Sequence, residues 1–215
     1  MAVTTIKTIW AENELKQNTH IYEYDGGCIV IDAGCSIDAV RDKTDKPIKA
    51  VLITHAHYDH IEYIEQYDRE NIPIYAHTKV LEMFGDSVNN ASVMFGVPKV
   101  YNIENIHLLN DNQTIHIDGI DIKALYTPGH SIDSMCYMIG ENLFSGDTVF
   151  SVAVGRDDLP TGDTKQLINS LKRILDLDYK WLFTGHGRSS DKQEQQHNIP
   201  QWTDYLIKKE NNIYG

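Results

Sequence analysis

The segment His55-Ala56-His57-Tyr58-Asp59-His60 sets three imidazoles and a carboxylate within six residues, directly after the apolar run Val51-Leu52-Ile53. Side chains two apart share a face at a strand end, so His55 and His57 can hold one ion together. The run Asp59-His60-Ile61-Glu62-Tyr63-Ile64 suggests the first turn of a helix, and that change of direction aims Asp59 and His60 elsewhere, toward a second ion. Imidazole and carboxylate suit zinc, iron or another borderline first-row ion, whereas an all-oxygen set would suit magnesium or calcium. For the hexapeptide alone, the competing reading is a polar loop with chance histidines.

Three other segments end in a similar way. Thr127-Pro128-Gly129-His130 closes a strand with a turn and presents His130 at its edge. Asn142-Leu143-Phe144-Ser145-Gly146-Asp147 does the same for Asp147, and Trp181-Leu182-Phe183-Thr184-Gly185-His186 for His186. In each, a strand delivers a small residue and then a candidate ligand, with glycine allowing close backbone approach.

The elements that must position these ligands are legible as hydrophobic patterns. Strand-like segments run over Val3 to Trp10, His20 to Tyr24, Cys28 to Ala33 and Lys49 to Thr54, with a hairpin turn at Asp25-Gly26-Gly27. Helices are expected at Asp59 to Glu70 and around Thr78 to Phe84, with a short strand Ile72 to Ala76 between them. Further strands follow near Ile103 to Leu109, Gln113 to Ile117, Ile120 to Thr127, Ser134 to Ile139 and Asn142 to Ser145. A helix over Thr164 to Leu175, a strand over Lys180 to Thr184 and an amphipathic helix over Lys192 to Lys209 complete the chain. No low-complexity tract or Pro/Gly/Ser linker interrupts residues 1–215, which reads as one domain of β-rich halves, each followed by helices: two sheets packed together with helices outside. The run Asn89 to Gly96 has apolar residues without a clear period and reads as a structural connection rather than a flap beside the site.

Composition narrows the partners. A formal charge of −12 disfavours polyanions, and no basic stripe is longer than Lys208-Lys209, so nucleic acid is a poor substrate and a small molecule fits better. Two divalent ions would leave the charge at about −8. No apolar stretch could span a bilayer, and Met1-Ala2-Val3 leads into a strand-like segment without a signal core, so a cytoplasmic protein, monomer or homodimer, is expected. Cys28, Cys35 and Cys136, odd in number and in or beside apolar runs, read as reduced and mostly buried thiols.

With these motifs assembled, the chain resembles the metallo-β-lactamase fold superfamily over essentially its whole length, and within it the short bacterial glyoxalase II-like hydrolases. The resemblance rests on Thr-His-Ala-His-Tyr-Asp-His at 54–60, Pro-Gly-His at 128–130, Ser-Gly-Asp-Thr at 145–148, Gly-Arg-Asp-Asp-Leu-Pro-Thr-Gly-Asp at 155–163, Gly-His-Gly at 185–187 and Ile-Asp-Ala-Gly at 31–34. It implies an α+β four-layer αββα sandwich with the site at one edge of the sheets. By position, His55, His57 and His130 would hold one metal, Asp59, His60 and His186 the second, and Asp147 would bridge them. The ions would be zinc, with iron or manganese as alternatives. Asp32 would be a buried carboxylate orienting a metal-bound histidine rather than a ligand. Cys35 is expected as a buried small side chain near this segment. The other five histidines, His20, His77, His107, His116 and His197, match no ligand position and are expected on the surface or hydrogen-bonded.

Two such ions, about 3.5 to 4 Å apart, would lower the pKa of a shared water toward about 7, and the resulting bridging hydroxide would attack a polarised carbonyl. Asp59 would orient the nucleophile and carry its proton. A thioester is favoured because its leaving thiolate, with a pKa around 8.5, departs without a general acid. A hydroxyacylglutathione is the first such substrate. Arg156 stands at the offset from Asp147 where glyoxalase II-like proteins place the basic residue that meets the glutathione carboxylate. Asp158 stands where their longer forms have a tyrosine, which weakens that reading. Arg156 could instead form a salt bridge with Asp157 or Asp163.

A mononuclear-iron persulfide dioxygenase is the nearest rival, since its family shares the fold and a similar Gly-Arg-x-Asp loop. Lactonases are disfavoured by Phe150, where they carry a tyrosine. True β-lactamases and transfer-RNA-processing relatives are also disfavoured, the latter by charge. A non-catalytic metal-binding module is weakest because the ligand set is complete.

Overall fold

The computed structural model describes residues 4–12 and 15–211. The first half comprises β1 (Thr5–Trp10), β2 (Asn18–Tyr24), β3 (Gly27–Ile31), α1 (Ile37–Arg41), β4 (Ile48–Leu52), α2 (Tyr58–Ile61), α3 (Ile64–Arg69), β5 (Ile74–His77), α4 (Val80–Phe84), a 3₁₀ turn at Ser92–Phe95 and β6 (Ile106–Leu109). The second comprises β7 (Thr114–Ile117), β8 (Ile120–Tyr126), β9 (Met135–Ile139), β10 (Asn142–Gly146), α5 (Thr164–Asp176), β11 (Trp181–Thr184), β12 (Ser190–Asp191) and α6 (Lys192–Glu210). The start of the first expected strand at Val3, and the leader reading of Met1-Ala2-Val3, lie outside the described residues.

Each half builds one six-stranded sheet, in the orders β1-β2-β3-β4-β5-β6 and β12-β11-β10-β9-β8-β7. Strands β3 to β6 are parallel, and β3 is buried along its whole length, as expected of a parallel strand covered on both faces. Successive side chains divide between two apolar layers: Cys28 and Val30 face the helices of the first half, while Ile29 and Ile31 pack toward the second sheet. A third layer joins Leu125, Cys136, Leu143 and Leu182 of the second sheet to α5 and α6. Three apolar layers separate four structural ones, and the fold is the αββα sandwich.

Helix α5 starts where the Asp163 carboxylate accepts from Gln166 N at 2.9 Å, and α6 where Asp191 accepts from Glu194 N at 2.8 Å. The expected continuous helix from Asp59 to Glu70 is two helices, broken at Glu62 and Tyr63. The break arises because the end of the first sheet takes the backbone: Ala33 N donates to His60 O, and Tyr63 N donates to Ala33 O. Helix α1 and strand β12 are too short to show a period in the sequence. Cys28, Cys35 and Cys136 are free and buried. Among the described residues no helix is long and apolar enough to cross a membrane.

The two sheets are stitched together at the end where β4, β10 and β11 finish. Met135 N donates to Thr54 O at 2.8 Å, the Tyr137 hydroxyl to Ile53 O at 2.9 Å, and Asn18 N to Gly185 O at 2.7 Å. These bonds fix the strand ends that carry the candidate ligands.

Candidate metal centre

Just past β4, Thr54 turns the chain by binding Asp32 twice: its N–H donates to Oδ1 at 2.7 Å and its hydroxyl to Oδ2 at 2.9 Å. Asp32 follows β3 with φ 63°, a left-handed backbone that aspartate tolerates better than most residues. The Thr54 oxygen, its own hydrogen already given away, lies 3.2 Å from His55 Nδ1 and accepts from it. Between the two histidines, Ala56 N donates to Asp133 Oδ2 at 2.9 Å, which pins the turn. Asp59 and His60 then occupy the first turn of α2.

The other ligand candidates come from the second sheet. His130 follows Gly129, whose φ of +131° and close approach to the Leu167 backbone at the start of α5 exclude a side chain. Asp147 follows β10, and His186 follows β11 and Gly185. A Cβ on Gly185 would collide with Asp147 Oδ1 and sit 2.7 Å from His60 Cε1, so this glycine leaves the room that the ligands converge on.

Hydrogen bonds assign the tautomers. Nδ1 of His60 donates to Asp32 Oδ2 at 2.8 Å, Nδ1 of His130 to Arg156 O at 2.8 Å, and Nδ1 of His186 to Leu15 O at 2.9 Å. These oxygens only accept, so each neutral ring keeps a lone pair on Nε2. His130 Nε2 lies 2.9 Å from His57 Nδ1 and 3.7 Å from Asp147 Oδ2. His186 Nε2 lies 3.2 Å from Asp59 Oδ2 and 3.4 Å from Asp147 Oδ2, and His60 Nε2 lies 3.3 Å from Asp147 Oδ1. Donors at tetrahedral zinc stand roughly 3.4 Å apart for bonds near 2.1 Å, and these separations bracket that value.

Three groups of ligand atoms result: His55, His57 and His130; His55, His60 and Asp147; Asp59, His60 and His186. Thus all seven expected ligands converge, with Asp147 between the two histidine sets. Nε2 of His55 and His60 and Oδ1 of Asp147 are buried without a hydrogen-bond partner. Buried polar atoms are rarely left so, and a cation is the partner this donor set fits.

Electrostatics separates the two halves. Burial, then mutual repulsion of the rings, holds His55 well below its ordinary pKa and takes His57 down to about 3; burial also lowers His130. Burial would lower His60 and His186 as well, but Asp147 and neighbouring carboxylates outweigh it, taking His60 well above its usual range and His186 up to about 10. Asp147 and Asp59 move down: burial opposes this, and the charges of His60 and His186 prevail. The first half is a set of neutral imidazoles, while the second gathers carboxylates that favour a positively charged partner.

A cavity of about 500 Å³ opens over these residues, with His57, Asp59, His130, Asp147 and His186 at its base. Contrary to the reading of Asn89 to Gly96 as a mere connection, Ala91, Met94 and Phe95 line this cavity. Arg156 also lines it, paired not with Asp157 or Asp163 but with Asp158, through Nε at 2.9 Å and Nη2 at 3.1 Å. Asp157 is taken by Lys209, and Asp163 caps α5. Cys35 lines a separate cavity of about 520 Å³. His20 is buried, with Nδ1 2.9 Å from the Thr8 hydroxyl and Nε2 2.9 Å from Thr184 O, so it braces the sheets beside the centre. Asp133 is the positioning residue that the sequence reading passed over; burial pushes its carboxyl up to about 6. The polar run His130-Ser131-Ile132-Asp133-Ser134 is the signal that could have exposed it.

The sequence profile of the metallo-β-lactamase superfamily matches residues 13–186. The chain belongs to this superfamily. Among relatives, a probable metallo-hydrolase of Bacillus subtilis, YqgX, is 28% identical over 195 residues, covering 86% of this chain and 92% of its own. A hydroxyacylglutathione hydrolase of Shewanella halifaxensis is 32% identical over 167 residues, covering 74% of this chain and 57% of that one. This metallo-β-lactamase-fold chain therefore matches little more than half of that enzyme. Of solved structures, the B3 metallo-β-lactamase BLEG-1 superposes with a TM-score of 0.82 at 29% identity, covering 93% of this chain and all of that one.

Proposed function

We propose that this protein is a dinuclear metal-dependent hydrolase of a small acyl substrate, a thioester, with hydroxyacylglutathiones as the first type to test. The observation that carries the reading is the convergence of buried ligand atoms on both sides of Asp147. The names of the Bacillus and Shewanella relatives support hydrolysis and the thioester respectively. His55, His57 and His130 would hold one ion, Asp59, His60 and His186 the other, and Asp147 both. Bound there, two zinc ions would supply hydroxide at neutral pH and polarise the acyl carbonyl.

The chain's own groups set the geometry of the reaction. Asp59 faces the cavity base with Oδ2 3.2 Å from His186 Nε2, where it can orient a nucleophile and accept its proton. The Nδ1 hydrogen bonds of His60, His130 and His186 lock their rings, so little reorganisation accompanies reaction. Phe150, in the cavity wall, offers no proton donor to a leaving group, which suits a thiolate and counts against the lactonase reading.

The test is elemental analysis of the purified protein, followed by assays on the same sample of S-lactoylglutathione hydrolysis, cephalosporin hydrolysis and oxygen uptake with glutathione persulfide. Two zinc ions per chain with thioester turnover is the expected result. One iron with oxygen uptake, or cephalosporin turnover alone, would overturn it.

A further inference from the structure

We propose that the cavity selects an uncharged, apolar thioester, and that Asp158 sets this selectivity by withholding Arg156 from anionic substrates. The inference rests on the hydrolase reading and narrows its substrate.

Arg156 is the only lysine or arginine among the described residues lining the cavity. Nε and Nη2 of its guanidinium, one of the two edges on which a substrate carboxylate could be held bidentately, are taken by the two Asp158 oxygens in an exposed pair. The nearby Lys209 cannot take its place, since its ammonium binds both Asp157 oxygens, at 2.6 and 2.8 Å. The Arg156–Asp158 pair leaves this part of the wall neutral on a chain of formal charge −12.

The remaining wall is apolar. Met94 and Phe95 are 59% and 41% exposed, a large apolar surface to leave in water beside a polar centre. Phe150, Val154 and Leu159 continue it around the cavity. The Ser92–Phe95 turn is built to hold its place. Left-handed residues bracket it, Ala91 at φ 60° and Gly96 at φ 72°. Asn90 Nδ2 donates to Lys99 O at 2.9 Å, Lys99 N donates to the Ser92 hydroxyl at 2.9 Å, and Tyr58 N donates to Asn90 O at 2.8 Å. The Phe95 ring lies 5.4 Å from that of Tyr58, the residue before Asp59. A preformed apolar wall thus runs from solvent to the ligands, and an apolar substituent of the substrate is the occupant that its continuity with the centre calls for.

Hydrolysis-inert thioethers test selection apart from catalysis. S-hexyl-N-acetylcysteamine is uncharged, while S-hexylglutathione carries the same tail on a net-anionic carrier. Calorimetry on the zinc-loaded protein is expected to show tighter binding of the uncharged ligand. Asp158→Ala should raise affinity for S-hexylglutathione about three- to tenfold at low salt, lose that gain near 1 M salt, and leave the uncharged ligand unaffected. Shortening the tail should weaken binding by about fourfold per methylene, and Phe95→Ser should flatten that series. Preference of the unaltered protein for S-hexylglutathione, an unchanged affinity in Asp158→Ala, or a tail series that Phe95→Ser leaves intact would each overturn the proposal. Turnover of the matching hexanoyl thioesters reports separately on the hydrolase reading: selective binding without hydrolysis would sink that reading and leave the selectivity standing.

Discussion

Nδ1 of His60 lies 2.8 Å from Oδ2 of Asp32, and both side chains are buried. The same carboxylate binds Thr54, whose hydroxyl oxygen faces His55 Nδ1, so one acid orients a histidine in each half of the centre. Asp32→Ala would strand the Thr54 N–H and the His60 Nδ1–H. Zinc affinity should fall about 10- to 100-fold, and stability by on the order of 3 kcal/mol. Chelator competition and urea unfolding measure the two effects. Because of the Thr54 relay, both ions should be released more easily, and selective loss of one would argue against it.

His186→Ala should remove one ion only. The trio His55, His57 and His130 contains no atom of His186, so metal content should drop from two per chain to one. Unchanged content would mean that Asp147 does not join two sites. Loss of both ions would mean that the halves are not separable.

The two glycines around His186 should respond differently to alanine. At Gly185 an added Cβ meets Asp147 Oδ1, so Gly185→Ala should keep the fold by circular dichroism yet deplete the second ion and lower hydrolysis by about 100-fold. At Gly187, with φ +74° and nothing within 4 Å, alanine meets only backbone strain of about 1 kcal/mol and should keep its metal. Equal metal loss in both variants would refute a steric role for Gly185.

The acid limb of stability should carry a contribution from His20. Burial takes its pKa down to about 4 from 6.5, so between these values the unfolded chain binds a proton that the folded chain refuses. Stability then declines as pH falls from about 6.5 to about 4, by about 3 kcal/mol in all, with no contribution above that window. Urea midpoints in EDTA at pH 7.5 and pH 5 should converge between the native chain and His20→Gln. Parallel losses would show that the folded chain takes up the His20 proton as readily as the unfolded chain does.

The ligands were legible because each lies within a few residues of a strand end, where an apolar run followed by glycine or a turn is a local pattern. Most strands were legible for the same reason, their inward faces alternating or running apolar. The break at Tyr63 was not: it depends on Ala33, thirty residues earlier, taking hydrogen bonds that a continuous helix would have used. Nor was the partner of Arg156, since three acids lie within seven residues and only the loop's conformation selects Asp158.

Which side chains can bind metal, and which strand ends carry them, could be read without the fold, because both are properties of short segments. Which nitrogen each ring offers was settled by the tertiary structure. That choice rests on Leu15, Asp32 and Arg156, backbone and carboxylate acceptors far away in the chain, and the Leu15 bond to His186 forms only when the two halves pack. The apolar wall at Met94 and Phe95 was decided in the same way. Without a period in its sequence, that segment acquires its role from the centre it is folded against.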